Sequence, residues 1–251
     1  MSSLNKEISV TAVIFAGGVG SRMHSRDIPK QFLVIHEKPI IVRTIEVFQH
    51  CRSVNNIVVV CNVGWIDYCR ELLEKFDLTK VRSVVPGGKT GQLSIREGLL
   101  AAARLTDPDS TVVLVHDGVR PLIDEATVEG CIDAVEVFGS AITCVPAKET
   151  VVVQRNDSLD IVPREHVLLA RAPQGFWLAE LLAAHKKAFS AGKYDYIDSA
   201  SMMVAFGAHL HVVEGSYENI KITTQDDFYA MRAILDSRED GQLYIEAGEV
   251  K

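Results

Sequence analysis

The segment Phe15-Ala16-Gly17-Gly18-Val19-Gly20-Ser21-Arg22-Met23 closes an apolar run (Val10, Ala12, Val13, Ile14) and is followed by Pro29-Lys30-Gln31-Phe32. Three glycines remove the Cβ atoms that would keep a polyanion from backbone N–H groups, and Arg22 and Lys30 bring two cations to the same loop; the combination suits phosphate chemistry. Two familiar glycine patterns fail on single residues. A dinucleotide fingerprint needs glycine where Met23 stands, and Gly-Lys-Ser/Thr does not follow this loop as a P-loop requires. Gly87-Gly88-Lys89-Thr90-Gly91-Gln92-Leu93-Ser94 opens a helical pattern, offering N–H groups, hydroxyls and a helix dipole to a base or ribose.

Val115-His116-Asp117-Gly118-Val119-Arg120-Pro121 places an acid and a base just past another strand-like segment. Asp117 suits a magnesium ion held between phosphates, and Arg120 suits an anionic substrate, although the pair serves equally well as a structural salt bridge. Glu214 to Thr224 sets Lys221 among apolar strand residues, and an interior lysine is usually functional or paired. No Ser–His–Asp or Cys–His arrangement appears, and His209 and His211 read as strand residues rather than metal ligands.

Five β-branched runs position these loops: Val10–Ala16, Ile57–Cys61, Val81–Val85, Val112–Val115 and Ala141–Val145. Helical spacing fills the intervals at Ile40–His50, Ile66–Phe76, Gln92–Leu105 and Glu125–Phe138. Such alternation predicts an α/β fold, a mainly parallel sheet with helices on both faces and ligands at the carboxyl ends of its strands. The rhythm then changes. Thr150–Gln154 and Leu159–Ala170 are extended about the turn Arg155-Asn156-Asp157-Ser158, which predicts an inserted β-hairpin arm over about 147–172. Its apolar residues Val151, Val153, Val162, Val167 and Leu169 need a partner, most simply a second copy of the chain. Helices are expected at Trp177–Phe189, Ser199–Ala205 and Asp226–Leu235, a strand at Leu210–Val213, and a loosely held tail over 236–251.

The 251 residues fit one domain, with 47% hydrophobic and 24% charged residues and no apolar run near a membrane span. The absence of a signal segment makes the cytoplasm the expected location. A net charge of −7 argues against a nucleic-acid surface, so an anionic substrate must be met by a local cation cluster. Five cysteines without a Cys-x-x-Cys pair indicate reduced, packed thiols.

Phe15–Met23, Pro29–Phe32, Val115–Pro121, Pro173-Gln174 and Asn219–Thr224 together resemble the cytidylyltransferases that make CDP-methylerythritol or CDP-ribitol, over residues 10 to 235. The resemblance implies a Rossmann-like nucleotidyltransferase that dimerises through exchanged arms and transfers CMP from CTP to a polyol phosphate with Mg²⁺. By this likeness Arg22, Lys30 and Lys221 are catalytic cations and Asp117 is the magnesium ligand. CTP is met by Phe15, Ala16, Gly17, Gly18, Gly20, Gly87, Gly88, Ser94 and Asp117. The acceptor is met by Arg120, Thr150 and Lys221, with Arg164 supplied by the partner's arm. Pro163-Arg164-Glu165-His166 resembles the ribitol-phosphate branch, which makes D-ribitol 5-phosphate the expected acceptor. The alternatives are 2-C-methyl-D-erythritol 4-phosphate and, from another class, a dinucleotide-binding oxidoreductase. The sequence departs from the family pattern at Gly91, Ala172 and Ile197, where arginine, threonine and threonine are usual.

Overall fold

The β-branched segments assemble into one seven-stranded sheet in which six strands run parallel and one antiparallel. The computed structural model describes residues 8–17 and 28–248, with side chains through residue 240. In chain order the elements are β1 (Ser9–Ala16), β2 (Val34–Ile35), β3 (Lys38–Pro39), α1 (Ile40–His50), β4 (Asn56–Cys61), α2 (Ile66–Lys75), β5 (Val81–Pro86), α3 (Gly91–Ala102) and β6 (Thr111–Asp117). There follow α4 (Glu125–Phe138), β7 (Ser140–Pro146), β8 (Val151–Arg155), β9 (Ser158–Val162), β10 (Leu168–Trp177), α5 (Leu178–Ser190), α6 (Ser199–Ala205), β11 (Val212–Glu214) and α7 (Gln225–Gly248). The sheet order is β11-β7-β10-β6-β1-β4-β5.

Alternate side chains of the central strands enter different cores, which is why those strands read as nearly unbroken apolar runs. Ala12, Ile14, Ile57, Val59 and Leu114 pack against Ile45 and Phe48 of α1, Leu72 of α2 and Val128 and Ile132 of α4. Val13, Val58, Val60, Val113 and Val115 pack against Ile95 and Leu99 of α3, Leu181 of α5 and Met202 of α6. Met231 of α7 closes a third cluster with Ile35, Ile40, Val119, Leu122 and Ile222. Helix α3 lies unusually close to the sheet. A Cβ added at Gly98 would stand 2.4 Å from Val13 Cγ1 and 2.7 Å from Val60 Cγ2, so only glycine admits this approach.

Several boundaries differ from the sequence expectation. Strand β6 continues through His116 and Asp117, because the ladder to β1 runs on to Phe15↔Asp117. Pairing with β6 and β7 likewise draws Leu168–Trp177 into the sheet as an interior strand, leaving β8 and β9 as the projecting hairpin. A one-turn 3-10 helix, Arg164–His166, interrupts the expected extended return. Val152 and Ile161 pair on the face most open to solvent, with Leu159, Leu168 and Leu169 also exposed. Val151, Val153, Val162 and Val167 are half-buried. Lys221 sits in a loop instead of a strand, anchored where Ile222 N donates to Val119 O at 2.9 Å. Helix α7 extends to Gly248, well beyond Leu235. All five cysteines are buried and free.

Candidate active site

The carboxyl ends of β1, β4, β5 and β6 converge on two adjoining cavities that share Phe15 and Gly91. The first, about 430 Å³, is bounded by Gly17, Asn62, Val63, Gly87, Gly88, Lys89, Thr90 and Ser94. Thr90 caps α3 by accepting from Leu93 N at 3.2 Å. Ser94 Oγ accepts from Gly88 N at 3.1 Å and donates to Thr90 O at 2.9 Å, so one hydroxyl fixes the curl of the loop. Gly88 is required sterically, since an added Cβ would lie 2.6 Å from Leu93 Cβ. The start of α3 is also tied outward. Thr90 Oγ1 donates to Tyr194 O at 2.6 Å, Gln92 Nε2 donates to Lys193 O at 3.1 Å, and Tyr196 N donates to Gln92 Oε1 at 2.9 Å.

The second cavity, about 400 Å³, carries the charge, and its walls include Asp117, Arg120, Arg171, Gln174, Asp198, Ser199 and Lys221. Asp117 Oδ2 accepts from Arg120 Nε at 2.7 Å, while Oδ1 meets Lys221 Nζ at 2.6 Å. Arg120 is held further by Nη1 donating to Asn219 O at 2.9 Å, and Asn219 Nδ2 donates to Ala172 O at 2.6 Å. Burial alone would push the Asp117 carboxyl up, but the charges and hydrogen bonds of Lys221 and Arg120 outweigh it and hold the group below the ordinary carboxylate range. His116 cannot serve as a base here. It is fully buried, burial lowers its pKa to about 4, and its Nε2 donates to Arg120 O at 3.2 Å. The site thus gathers Arg120 and Lys221 around the ionised Asp117 carboxylate, an arrangement suited to stabilising phosphoryl charge.

The family model described as IspD, 2-C-methyl-D-erythritol 4-phosphate cytidylyltransferase, matches residues 10–237. The chain belongs to this family. It is therefore a cytidylyltransferase, a nucleotidyltransferase enzyme. The ribitol-5-phosphate cytidylyltransferase of Streptococcus agalactiae serotype V is 51% identical over 92% of this chain and 97% of its own. That of Vibrio parahaemolyticus serotype O3:K6 is 46% identical over 93% and 98% respectively. The crystal structure of 4-diphosphocytidyl-2C-methyl-D-erythritol synthase from Anaerococcus prevotii DSM 20548 superposes with a TM-score of 0.79 at 30% identity, covering 91% of this chain and 96% of that one.

In this cytidylyltransferase the cavities gather Phe15, Gly17, Gly87, Gly88, Ser94, Asp117, Arg120 and Lys221 from the expected set. Ala16 is buried at the end of β1, where its carbonyl accepts from Gln31 Nε2 at 2.7 Å; this bond pins the Lys30–Phe32 turn beside the site. Gly18, Gly20 and Arg22 lie outside the described residues. Thr150 and Arg164 border neither cavity. Both are exposed at the arm's base, where Arg164 Nη1 donates to Lys148 O at 3.2 Å within the same chain. The sequence reading missed Gln31, Arg171, Asp198 and Ser199 as site residues. Asp198 had a local signal, an aspartate three residues before Ser201 that forms a capping box for α6. Gln174 braces that cap, donating to Asp198 Oδ2 at 2.9 Å and accepting from Ala200 N at 2.9 Å. Among the described residues no helix is long and apolar enough to cross a membrane.

Proposed function

We propose that this cytidylyltransferase transfers CMP from CTP to D-ribitol 5-phosphate, releasing pyrophosphate and forming CDP-ribitol. The observation that carries the reading is the pairing of a glycine-lined cavity with a cation-lined one at the same strand ends. The acceptor assignment draws on the curated relatives at 51% and 46% identity, whose names specify ribitol 5-phosphate.

An acceptor phosphate with a second pKa of about 6 is largely dianionic at neutral pH, so it attacks the α-phosphorus without a general base. A new O–P bond forms as the bond to pyrophosphate breaks. Cytidine lies against Gly87, Gly88 and Ser94, the loop amides receive the triphosphate, and Lys30 and Arg22 neutralise charge that grows in the transition state. Lys221 and Arg120 orient the acceptor from the second cavity. A divalent ion, Mg²⁺ in this reading, would when bound supply further neutralisation of phosphate charge. Asp117 fits such an ion, because each carboxylate oxygen retains a lone pair beyond its cation contact and magnesium commonly takes one carboxylate plus phosphate oxygens. The acidic group Cys51, Glu125 and Glu129 lines neither cavity and belongs to the α1–α4 side of the sheet. The exposed arm residues Val152, Leu159 and Ile161 support a homodimer in which Thr150 and Arg164 serve the neighbouring site.

A coupled pyrophosphate-release assay decides the reading. CTP, Mg²⁺ and D-ribitol 5-phosphate should give turnover that EDTA abolishes. Preferential turnover of 2-C-methyl-D-erythritol 4-phosphate would replace the acceptor, and equal rates with ATP would remove the cytidine assignment.

A further inference from the structure

Among the described residues the acceptor cavity holds three cations, Arg120, Lys221 and Arg171, and they are not equivalent. Arg120 and Lys221 already share the Asp117 carboxylate, and Arg120 is further fixed to Asn219 O. The other carboxylate on the wall, Asp198, is engaged by Ser201 N at 2.7 Å and by Gln174 Nε2. Arg171 stands apart. Among the described residues it forms no ion pair, and its Nε is buried without a hydrogen-bond partner. Burial, followed by repulsion from Arg120, disfavours its charged form. A buried donor left unpaired is costly, more so for a charged group, so a ligand that satisfies it gains affinity. Ser199 Oγ, on the same wall and 2% exposed as a residue, is also unpartnered. Two small residues also border the cavity: a Cβ added at Gly91 would meet nothing within 4 Å, and Ala172 presents only a methyl group.

We propose that Arg171 is the principal ligand of the acceptor's phosphate, receiving the dianion through charge-assisted hydrogen bonds in the space beside Gly91 and Ala172. The inference rests on the polyol-phosphate reading above and adds a residue to it. Among the described residues, a dianion entering here meets the one cavity cation whose charge is not already shared with a carboxylate, while Asp117 keeps Arg120 and Lys221 in place.

The test uses Arg171→Ala, Arg171→Met and Arg171→Lys in the full chain, with D-ribitol 5-phosphate, CTP and Mg²⁺. Charge-assisted hydrogen bonds of this kind correspond to a rise in acceptor KM of roughly 10–100-fold for the Ala and Met variants. The CTP KM should stay within about twofold, and Lys should recover part of the loss as a single point charge. Inorganic phosphate, used as a competitive inhibitor against the acceptor, should lose potency by a similar factor in the Ala and Met variants, which a purely structural role would not produce. Unchanged acceptor KM, or a loss expressed in CTP affinity, overturns the assignment. If the Ala variant fails to fold, the Met variant, which keeps the apolar stem, gives the same readings. Wild-type turnover of D-ribitol 5-phosphate tests the acceptor separately. If the wild type instead uses 2-C-methyl-D-erythritol 4-phosphate, the same ratios measured with that phosphate decide Arg171.

Discussion

Replacing Asp117 by asparagine tests whether one buried carboxylate organises the cation cluster. The Asp117 and Arg120 side chains are 8% and 9% exposed, so their 2.7 Å contact is a buried ion pair. Removing one member of such a pair costs about 3–5 kcal/mol, because the remaining charge is left without compensation. Lys221 is 41% exposed and screened by water, so its lost contact adds at most about 1 kcal/mol. Asparagine keeps an oxygen that accepts from Arg120 Nε, which recovers on the order of 1 kcal/mol. The balance is a destabilisation of about 2–5 kcal/mol, or roughly 5–20 °C in melting temperature for a chain of this size. The effect should depend on pH with a definite sign. A carboxyl whose folded pKa lies below its unfolded value stabilises the protein above the unfolded pKa and loses that contribution as pH falls through the folded one. The gap between wild type and Asp117→Asn should therefore be full near neutrality and narrow below about pH 4. Calorimetric unfolding of both proteins across this range, with pyrophosphate release measured at neutral pH, reads both effects. Equal melting temperatures at neutral pH, or a gap that persists unchanged in acid, would refute the reasoning.

If the Lys30 charge is matched to the transition state, as proposed, Lys30→Ala should lower kcat by on the order of 10²-fold with little change in CTP KM; steady-state kinetics showing only a raised KM would make it a binding residue. Gly88→Ala drives a methyl group to 2.6 Å from Leu93 Cβ. It should raise CTP KM by roughly 10-fold or more through displacement of the loop, with a melting temperature within a few degrees of wild type. Gly98→Ala makes the contrasting case. The clash with Val13 and Val60 should cost about 1–3 kcal/mol in chemical denaturation, exceeding the helix-propensity gain of about 1 kcal/mol. Mixing Arg164→Ala with Lys30→Ala subunits should restore activity if the arm serves the neighbouring site, since one site of the heterodimer then carries neither lesion; no restoration on exchange would confine Arg164 to its own chain.

The bounds of α1, α4 and α6 were legible in the sequence because amphipathic spacing coincides with local stop signals, such as the Asp124 cap and Gly139 at φ 81° around α4. Gly17, Gly87 and Gly88 were legible as residues lining a cavity for a related reason, since glycine at a strand's end leaves room for a ligand there. What escaped depends on distant partners. The sequence around Leu168–Trp177 suggests the arm's return, yet cross-strand pairing with β6 and β7 makes it an interior strand. That placement is what brings Arg171 to the second cavity, so misjudging the strand also concealed the residue. Lys221 looked like a strand lysine because apolar neighbours flank it, but those neighbours pack against α7.

The hydrogen bonds that tie Thr90 and Gln92 to residues 193–196 join the Gly87–Ser94 loop to the chain that leads directly into Ile197, Asp198 and Ser199 on the wall of the second cavity. If a nucleotide orders this loop, as proposed, the two side chains offer a route by which that order reaches the wall, and by which order in the wall is returned. Such thermodynamic linkage is reciprocal, and coupling free energies of this kind are typically about 1–3 kcal/mol. CTP should tighten acceptor binding by the same factor that the acceptor tightens CTP, and weakening the strut with Gln92→Ala, which leaves only the Thr90–Tyr194 tie, should reduce that factor while leaving both cavities open; an undiminished factor in paired titrations would refute the coupling.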